Sequence, residues 1–168
     1  MRTSAGYIWG LKKEIKDADV NMNYVKLVKN VLDIAIKQSG INMAIDEDPY
    51  LINSMQSSKF PVFVCAPTEP QIERENYYEF HLTLYYIDRE QSANNEYNNP
   101  ETSLIHSAGI SILGNIIKKI RAIDEVVSVD ENISYTLFND TELFADKCNG
   151  VYTTITVIVP KDSNCATY

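Results

Sequence analysis

Residues 133–160, ISYTLFNDTELFADKCNGVYTTITVIVP, decide the fold that this sequence predicts. Apolar and polar residues alternate at 132–137 and again at 151–159, and a period of two is typical of a strand with one buried face. The connection between them, 139–149, ends at Asn149-Gly150, a pair that tolerates positive φ before a strand resumes. We therefore predict a wide hairpin whose core-facing residues are Ile133, Tyr135 and Leu137 in its first strand and Val151, Ile155, Val157 and Val159 in its second.

Three more segments have strand character. The clearest is 76–88, in which one face is apolar and the other is wetter and rich in tyrosine. Residues 42–45 form a short strand candidate, and 60–66 form a compact apolar one. Because proline cannot donate to a β-ladder, Pro61 indicates that 60–66 is an edge strand. The predicted core residues of 76–88 are Tyr78, Phe80, Leu82, Leu84 and Tyr86, and those facing away include Tyr77, Glu79, His81, Thr83 and Tyr85.

Two segments have helical periodicity. The first is capped by Asn21 or Asn23 and runs to about Gln38, with Gly40 as its stop. Its predicted stripe is Val25, Val28, Leu32 and Ala35, with Tyr24 and Val31 beside it.

The second helix is capped by Thr102 or Ser103 and runs to about Ile123. Gly109 and Gly114 weaken a helix, so we expect the backbone to approach a neighbour closely there. Its predicted stripe is Ile105, Ala108, Ile112, Ile116 and Ile120, broadened by Leu104, Leu113 and Ile117.

The resulting order, α-β-β-β-α-β-β, predicts an α+β fold with an antiparallel sheet packed against helices on one face. We divide the chain into an N-terminal arm (1–20), a single domain (21–160) and a C-terminal tail (161–168). A chain of 168 residues suits one domain with its own core.

Charge and composition exclude several classes of protein. The net charge of −8 argues against a protein that binds nucleic acid by neutralising phosphates. No run of about 18 apolar residues indicates a membrane span, and the N-terminal residues turn charged too soon for a signal peptide. The three cysteines, Cys65, Cys148 and Cys165, lie far apart without a CxxC motif, so we expect reduced thiols in the cytoplasm.

Motifs that suggest binding chemistry are incomplete. Residues 17–23 place Asp or Asn at alternate positions, as in a calcium loop, but Met22 and Val28 stand where that loop needs Gly and Glu. Gly109 and Gly114 have the spacing of a phosphate-binding loop without its Lys and Ser/Thr. We interpret the first motif as a helix cap and the second as a helix with two glycines.

Motifs that suggest catalysis are also incomplete. His106-Ser107 lies within a predicted helix and not at a strand-to-helix turn, and His81 lies on the wet face of a strand. The carboxylate pairs lie in predicted turns, where solvated charge explains them. We predict that the chain is not an enzyme and has no cofactor or metal. The pairs are Asp46/Asp48, Asp124/Glu125 and Asp130/Glu131.

Three regions are candidates for contact with other subunits. The arm carries apolar side chains beside a basic cluster, 60–66 is a predicted edge, and 89–100 is a long polar loop. The interface candidates are Tyr7, Trp9, Leu11, Phe60, Val62 and Tyr97.

Several stretches resemble tail-terminator and neck (head-to-tail connector) proteins of tailed bacteriophages. They are NYVKLVKNVLDIA (23–35), YLINSMQSSKFPVFV (50–64), the strand ending at Ile87-Asp88, the Ile-rich helix and FADKCNGVYTTITVIVP (144–160). The resemblance covers roughly residues 22–160 and rests on element order and phrase, without an invariant motif.

The resemblance implies a structural virion protein of the phage neck or tail, whose subunits form a hexameric or dodecameric ring. Such a ring joins the portal and other neck or tail rings and lets DNA pass without specific binding, with no active site and no membrane contact. The alternative is a monomeric accessory or binding domain that holds a peptide or carbohydrate on its Tyr-rich face through Tyr77, Tyr85 and His81. A third interpretation is a hydrolase that uses His106 or the acidic turns.

Overall fold

The computed structural model describes residues 22–46, 49, 59–68, 70–90, 100–140 and 148–161. The predicted arm, and the predicted tail beyond Lys161, lie outside these ranges. The described chain forms two helices and seven strands, in the order α1 (Tyr24–Ile36), β1 (Met43–Ile45), β2 (Val62–Pro67), β3 (Ile72–Glu73), β4 (Tyr77–Arg89), α2 (Pro100–Ile120), β5 (Ser128–Val129), β6 (Thr136–Asp140) and β7 (Cys148–Pro160).

The long strands β4 and β7 form the centre of the sheet. They pair antiparallel along their full length, from Tyr77 opposite Pro160 to Arg89 opposite Cys148. On the other side of β4 lie β2 and β3, and on the other side of β7 lie β5 and β6. The wide hairpin predicted from 133–160 is therefore confirmed as β6 and β7, and β4 is confirmed within one residue at each end.

The sheet is mixed, which corrects the prediction of an antiparallel one. β1 pairs parallel with β2, and parallel neighbours require a crossover connection. Pro61 precedes the first residue of β2, and its carbonyl accepts a hydrogen bond from the Asn42 N–H at 2.9 Å. β2 thus lies between β1 and β4, and the prediction that it is an edge strand is wrong. The predicted order also lacked the two-residue strands β3 and β5.

Both helices pack on one face of the sheet, which we call the helix face. The predicted core-facing residues of β4 and β7 lie there: Val151, Ile155, Val157, Val159, Phe80, Leu82, Leu84 and Tyr86 are buried, and Tyr78 is partly buried. The helices contribute Leu27, Val28, Val31 and Ala35 from α1 and Ile105, Leu113, Ile116, Ile117 and Ile120 from α2.

The predicted stripes of the helices were partly wrong. Ala108 and Leu104 of α2 are exposed, because the buried stripe is centred nearer Gly109 and Leu113. A Cβ at Gly109 would lie 2.8 Å from Tyr86 Cδ1 and from Val151 Cγ2, so the expected close approach is confirmed there. At Gly114 the nearest such atom is the Tyr135 hydroxyl at 3.4 Å, an ordinary contact.

The helix ends follow capping chemistry. The Asn23 side chain accepts a hydrogen bond from the Lys26 N–H at 2.9 Å, which selects Asn23 between the two predicted caps. Gly40 has a φ of +89°, the left-handed conformation that suits a stop after α1. α2 begins at Pro100, earlier than predicted. Proline suits the first turn of a helix, because the backbone N–H that it lacks has no partner within the helix at that position.

The first strand of the hairpin is shorter than predicted. β6 starts at Thr136, so Ile133 and Tyr135 precede it, although both pack against the core. Leu137 stands opposite Val151 but is 50% exposed, since at the border of the sheet the helix layer leaves its side chain uncovered. The prediction that Leu137 is a core residue is therefore wrong.

Candidate interaction surfaces

Two of the six predicted interface residues lie in the described chain, and both are buried. Phe60 is 7% exposed and Val62 is fully buried. They belong to a small cluster on the sheet face opposite the helices, which we call the second face. Their side chains therefore pack within the chain itself. The cluster also contains Val64, Ile87 and Cys148, and the other four candidates, Tyr7, Trp9, Leu11 and Tyr97, lie outside the described residues.

The borders of the sheet are formed by β1 and β3 on one side and by β5 and β6 on the other. Within the described chain, β1 pairs only with β2, and β6 pairs only with β7. Thr136, Leu137 and Asn139 of β6 are exposed, so this border presents both backbone and side chains to the surroundings. Strand borders of this kind can pair with another chain.

His106 connects α2 to the β6 border. Its Nε2 makes a hydrogen bond with the Phe138 carbonyl at 3.2 Å. The residue that suggested a hydrolase thus joins a helix to a border strand.

Aromatic side chains cluster on the second face near β6. The ring centroids of Tyr85 and Tyr152 lie 5.3 Å apart, and those of Phe138 and Tyr152 lie 6.3 Å apart. All three side chains are partly buried. Tyr77 stands opposite Pro160 at the far end of β4, about 26 Å along the strand from Tyr85.

Tyr77 and Tyr85 therefore do not form one site, although the sequence pattern placed them on one face. Tyr152 and Phe138, which complete the aromatic cluster, were missed. The alternation of β7 could have revealed Tyr152, because this residue falls on the polar side of the strand. In the structure it stands opposite Tyr85. Which strands are neighbours cannot be read from alternation alone.

A chain of threonine hydroxyls crosses the centre of the second face. Thr83 hydrogen-bonds to Thr68 and, at 2.9 Å, to Thr154. Thr83 is 6% exposed, so its hydroxyl needs these partners. The face that the sequence predicted to be wet is therefore partly buried here.

His81 lies beside this chain of hydroxyls and is only partly exposed. Its Nδ1 is 3.3 Å from the Thr156 hydroxyl, while its Nε2 is buried without a hydrogen-bond partner among the described residues. The Gln71 side chain accepts a hydrogen bond from the His81 N–H and donates one to the His81 carbonyl, both at 2.9 Å. Gln71 thus continues the ladder along β4 between β2 and β3, and His81 is held by this local structure.

The N-terminal end of α2 carries negative charge. The Thr102 hydroxyl donates to Glu90 Oε1 at 2.8 Å and accepts from the Asn149 amide at 3.2 Å. Burial and the nearby Glu101 raise the pKa of Asp88, while the hydrogen bond from the Arg89 N–H opposes that shift. The C-terminal end of α2 is basic, with Lys118 and Lys119 exposed in its last turn.

The remaining candidate chemistry has structural explanations. Burial, followed by the nearby Asp46, raises the pKa of the Cys65 thiol to about 12, so the thiolate is not populated at neutral pH. Glu125, from one of the carboxylate pairs, forms an ion pair with Lys26 at 3.1 Å. The metal motif at 17–23 falls mostly outside the described residues, and its last member, Asn23, caps α1.

The described residues contain neither a metal-binding cluster nor a membrane-spanning helix. In the ranges that the structure describes, no three His, Cys, Asp or Glu side chains lie close enough together to hold a metal ion. Neither of the two described helices is long and apolar enough to span a membrane.

Comparison with known proteins does not assign the chain to a family. No protein-family model matches the sequence, and no curated protein is significantly similar to it.

Proposed function

We propose that this chain is a structural virion protein that forms an oligomeric ring in the neck or tail of a tailed bacteriophage. In this role it joins the portal to the tail and lines the channel through which DNA passes. The observation that supports the proposal best is the pair of sheet borders, β1 and β6, on opposite sides of one subunit. The resemblance of residues 22–160 to phage neck and tail-terminator proteins agrees with it.

Opposite borders suit a ring because they let each subunit contact the next head to tail. A contact between two different surfaces is heterologous, and it closes into a ring when the rotation between subunits is right. Pairing of β6 from one subunit with β1 of the next would satisfy backbone groups at both borders. Of the two, β6 has the more accessible side chains, including Leu137.

The charge of the chain suits a channel for DNA. Each subunit carries a net charge of −8, so a ring of them presents a negative surface that does not retain phosphates. The ring therefore functions through shape and self-association, with no chemical step.

Substitution at the β6 border tests the proposal. Leu137→Lys adds a charge to an exposed position, so we expect it to prevent ring formation while leaving the fold intact. Asn76→Lys is the matched control, because it adds the same charge at an exposed turn between β3 and β4. Rings would be counted by negative-stain imaging, with portal-containing particles present, and circular dichroism would check folding. Rings of equal number in both variants would contradict a β6 contact.

The aromatic cluster supports a second candidate, a monomeric accessory or binding domain that uses the second face. Three aromatic rings lie close enough together to hold one peptide or one carbohydrate ring, those of Tyr85, Tyr152 and Phe138. A monomer that ignores portal particles but binds an oligosaccharide or peptide, and loses that binding in Tyr152→Ala, would favour this candidate over the ring.

A further inference from the structure

The outward side of α2 has no charged residue between Glu101 and Lys118. Its exposed residues include Leu104, which is 70% exposed, and Ile110, which is 39% exposed. The others are small or neutral: Ser103, Ser107, Ala108, Ser111 and Asn115. Exposed helix faces in soluble proteins are usually charged, so an uncharged one this long points to a partner.

Charge at the two ends of α2 identifies the kind of partner. The N-terminal end is acidic on balance, because three carboxylates, those of Asp88, Glu90 and Glu101, lie there with one cation, Arg89. The C-terminal end is basic, through Lys118 and Lys119. An identical helix laid antiparallel on this face brings each acidic end against a basic end. This arrangement also sets the two helix dipoles antiparallel, which is electrostatically favourable.

We propose that the outward side of α2 is a twofold contact between two copies of this chain, with the two α2 helices packed antiparallel. A twofold axis between Gly109 and Ile110 places Glu101 opposite Lys118 of the other copy, and Leu104 opposite Asn115. Near the axis, Ala108 faces Ser111, and these small side chains let the helices approach closely. The contact is isologous, since the same surface serves both copies.

The predicted dimer is weak. Two helices of this length, each about 30 Å, bury less than the roughly 800 Å² per partner of a standard interface. We therefore expect dimers at tens of micromolar, about 10–100 µM, and monomers well below that. The α2 contact uses side chains of the helix, whereas the ring contact uses the β6 strand, so this inference does not rest on the ring proposal.

Sedimentation of the full chain with Leu137→Lys tests the contact, because that substitution removes any association through β6. Adding Leu104→Lys is expected to raise the dimer Kd at least about tenfold, whereas adding Asn76→Lys leaves it unchanged. Circular dichroism confirms that each variant is folded.

Charge reversal tests the antiparallel arrangement. Glu101→Lys and Lys118→Glu are each expected to raise the Kd about threefold to tenfold, and the two together to restore it to near the starting value. A chain that stays monomeric at about 200 µM, well above the expected Kd range, or a dimer that Leu104→Lys does not weaken, overturns the proposal. So does a combined charge reversal that weakens the dimer further. Rings without α2 dimers would reject this contact alone, and α2 dimers without rings would reject the ring alone.

Discussion

The helix face and the second face of the sheet share the same strands but differ in chemistry. On the helix face, Leu82, Leu84 and Val157 are fully buried against α1 and α2. On the second face, a small apolar cluster occupies one region, and aromatic rings, threonine hydroxyls and His81 occupy the rest. The difference indicates that stability comes mainly from the helix face. The contacts that we propose with other chains use the sheet borders and the outward side of α2.

The largest expected effect comes from truncating a helix-face residue. Ile155→Ala removes a fully buried side chain beneath the helices, and we expect a loss of about 4 kcal/mol in the free energy of unfolding. Thr154→Ala, one residue earlier on the second face, should lose no more than about 1 kcal/mol, because Thr154 is exposed. Urea unfolding measures both. Equal losses would show that the two faces contribute alike.

Gly150 tests how tightly the second face is packed near the aromatic cluster. A Cβ there would lie 2.5 Å from Phe138 Cζ and 2.2 Å from the Tyr86 carbonyl oxygen. Since backbone cannot move aside cheaply, Gly150→Ala should lower the free energy of unfolding by about 2–3 kcal/mol.

Gly114→Ala is the matched control for that substitution. It meets only an ordinary contact and should raise stability by up to about 1 kcal/mol, because alanine favours a helix. A Gly150→Ala variant as stable as the native chain would contradict the close approach of the Tyr86 carbonyl and the Phe138 ring to this position.

The sequence predicted correctly those parts of the fold that depend on local pattern. The alternation of β4 and β7 was read correctly because each strand is long and has one mainly apolar side, interrupted in β7 by the buried Thr153. The Asn23 cap was among those expected because capping depends on neighbouring residues alone.

Features that depend on distant neighbours were missed. Pro61 indicated an edge strand, but it only precedes β2, and the partner on that side, β1, pairs through a crossover that local pattern does not reveal. Leu137 continues an apolar alternation, yet the helix layer leaves it half exposed. The aromatic cluster required knowing that Tyr85 and Tyr152 are directly opposite one another.

The hydroxyl chain of the second face should contribute a smaller amount. Thr83→Val keeps the shape of the side chain but removes its bonds to Thr68 and Thr154, so we expect a loss of about 1 kcal/mol by urea unfolding. Thr83→Ser keeps the hydroxyl and serves as the control. A valine variant as stable as the native chain would show that these hydrogen bonds add nothing to stability.

The smallest expected effect is the pH dependence of the ion pair between Lys26 and Glu125, which lies in the helix layer. The hydrogen bond from Lys26 lowers the pKa of Glu125 below 4.5. The pair therefore stabilises the fold at pH values above 4.5, the ordinary pKa of a glutamate. Its contribution is lost as the pH falls through the lowered pKa of Glu125. Both side chains are exposed, so we expect at most about 0.5 kcal/mol, less in high salt. Comparing Glu125→Gln with the native chain at pH 7 and pH 3 measures it, and a difference that grows at pH 3 would contradict the sign.

The central claim, that this chain builds a ring, is tested most directly by negative-stain imaging with mass measurement. The native chain would be imaged alone and mixed with portal-containing particles, beside Leu137→Lys and Asn76→Lys. We expect rings of fixed symmetry, free or on the portal, from the native chain and Asn76→Lys, and none from Leu137→Lys. A native chain that stays free of rings and does not bind the particles would contradict the claim.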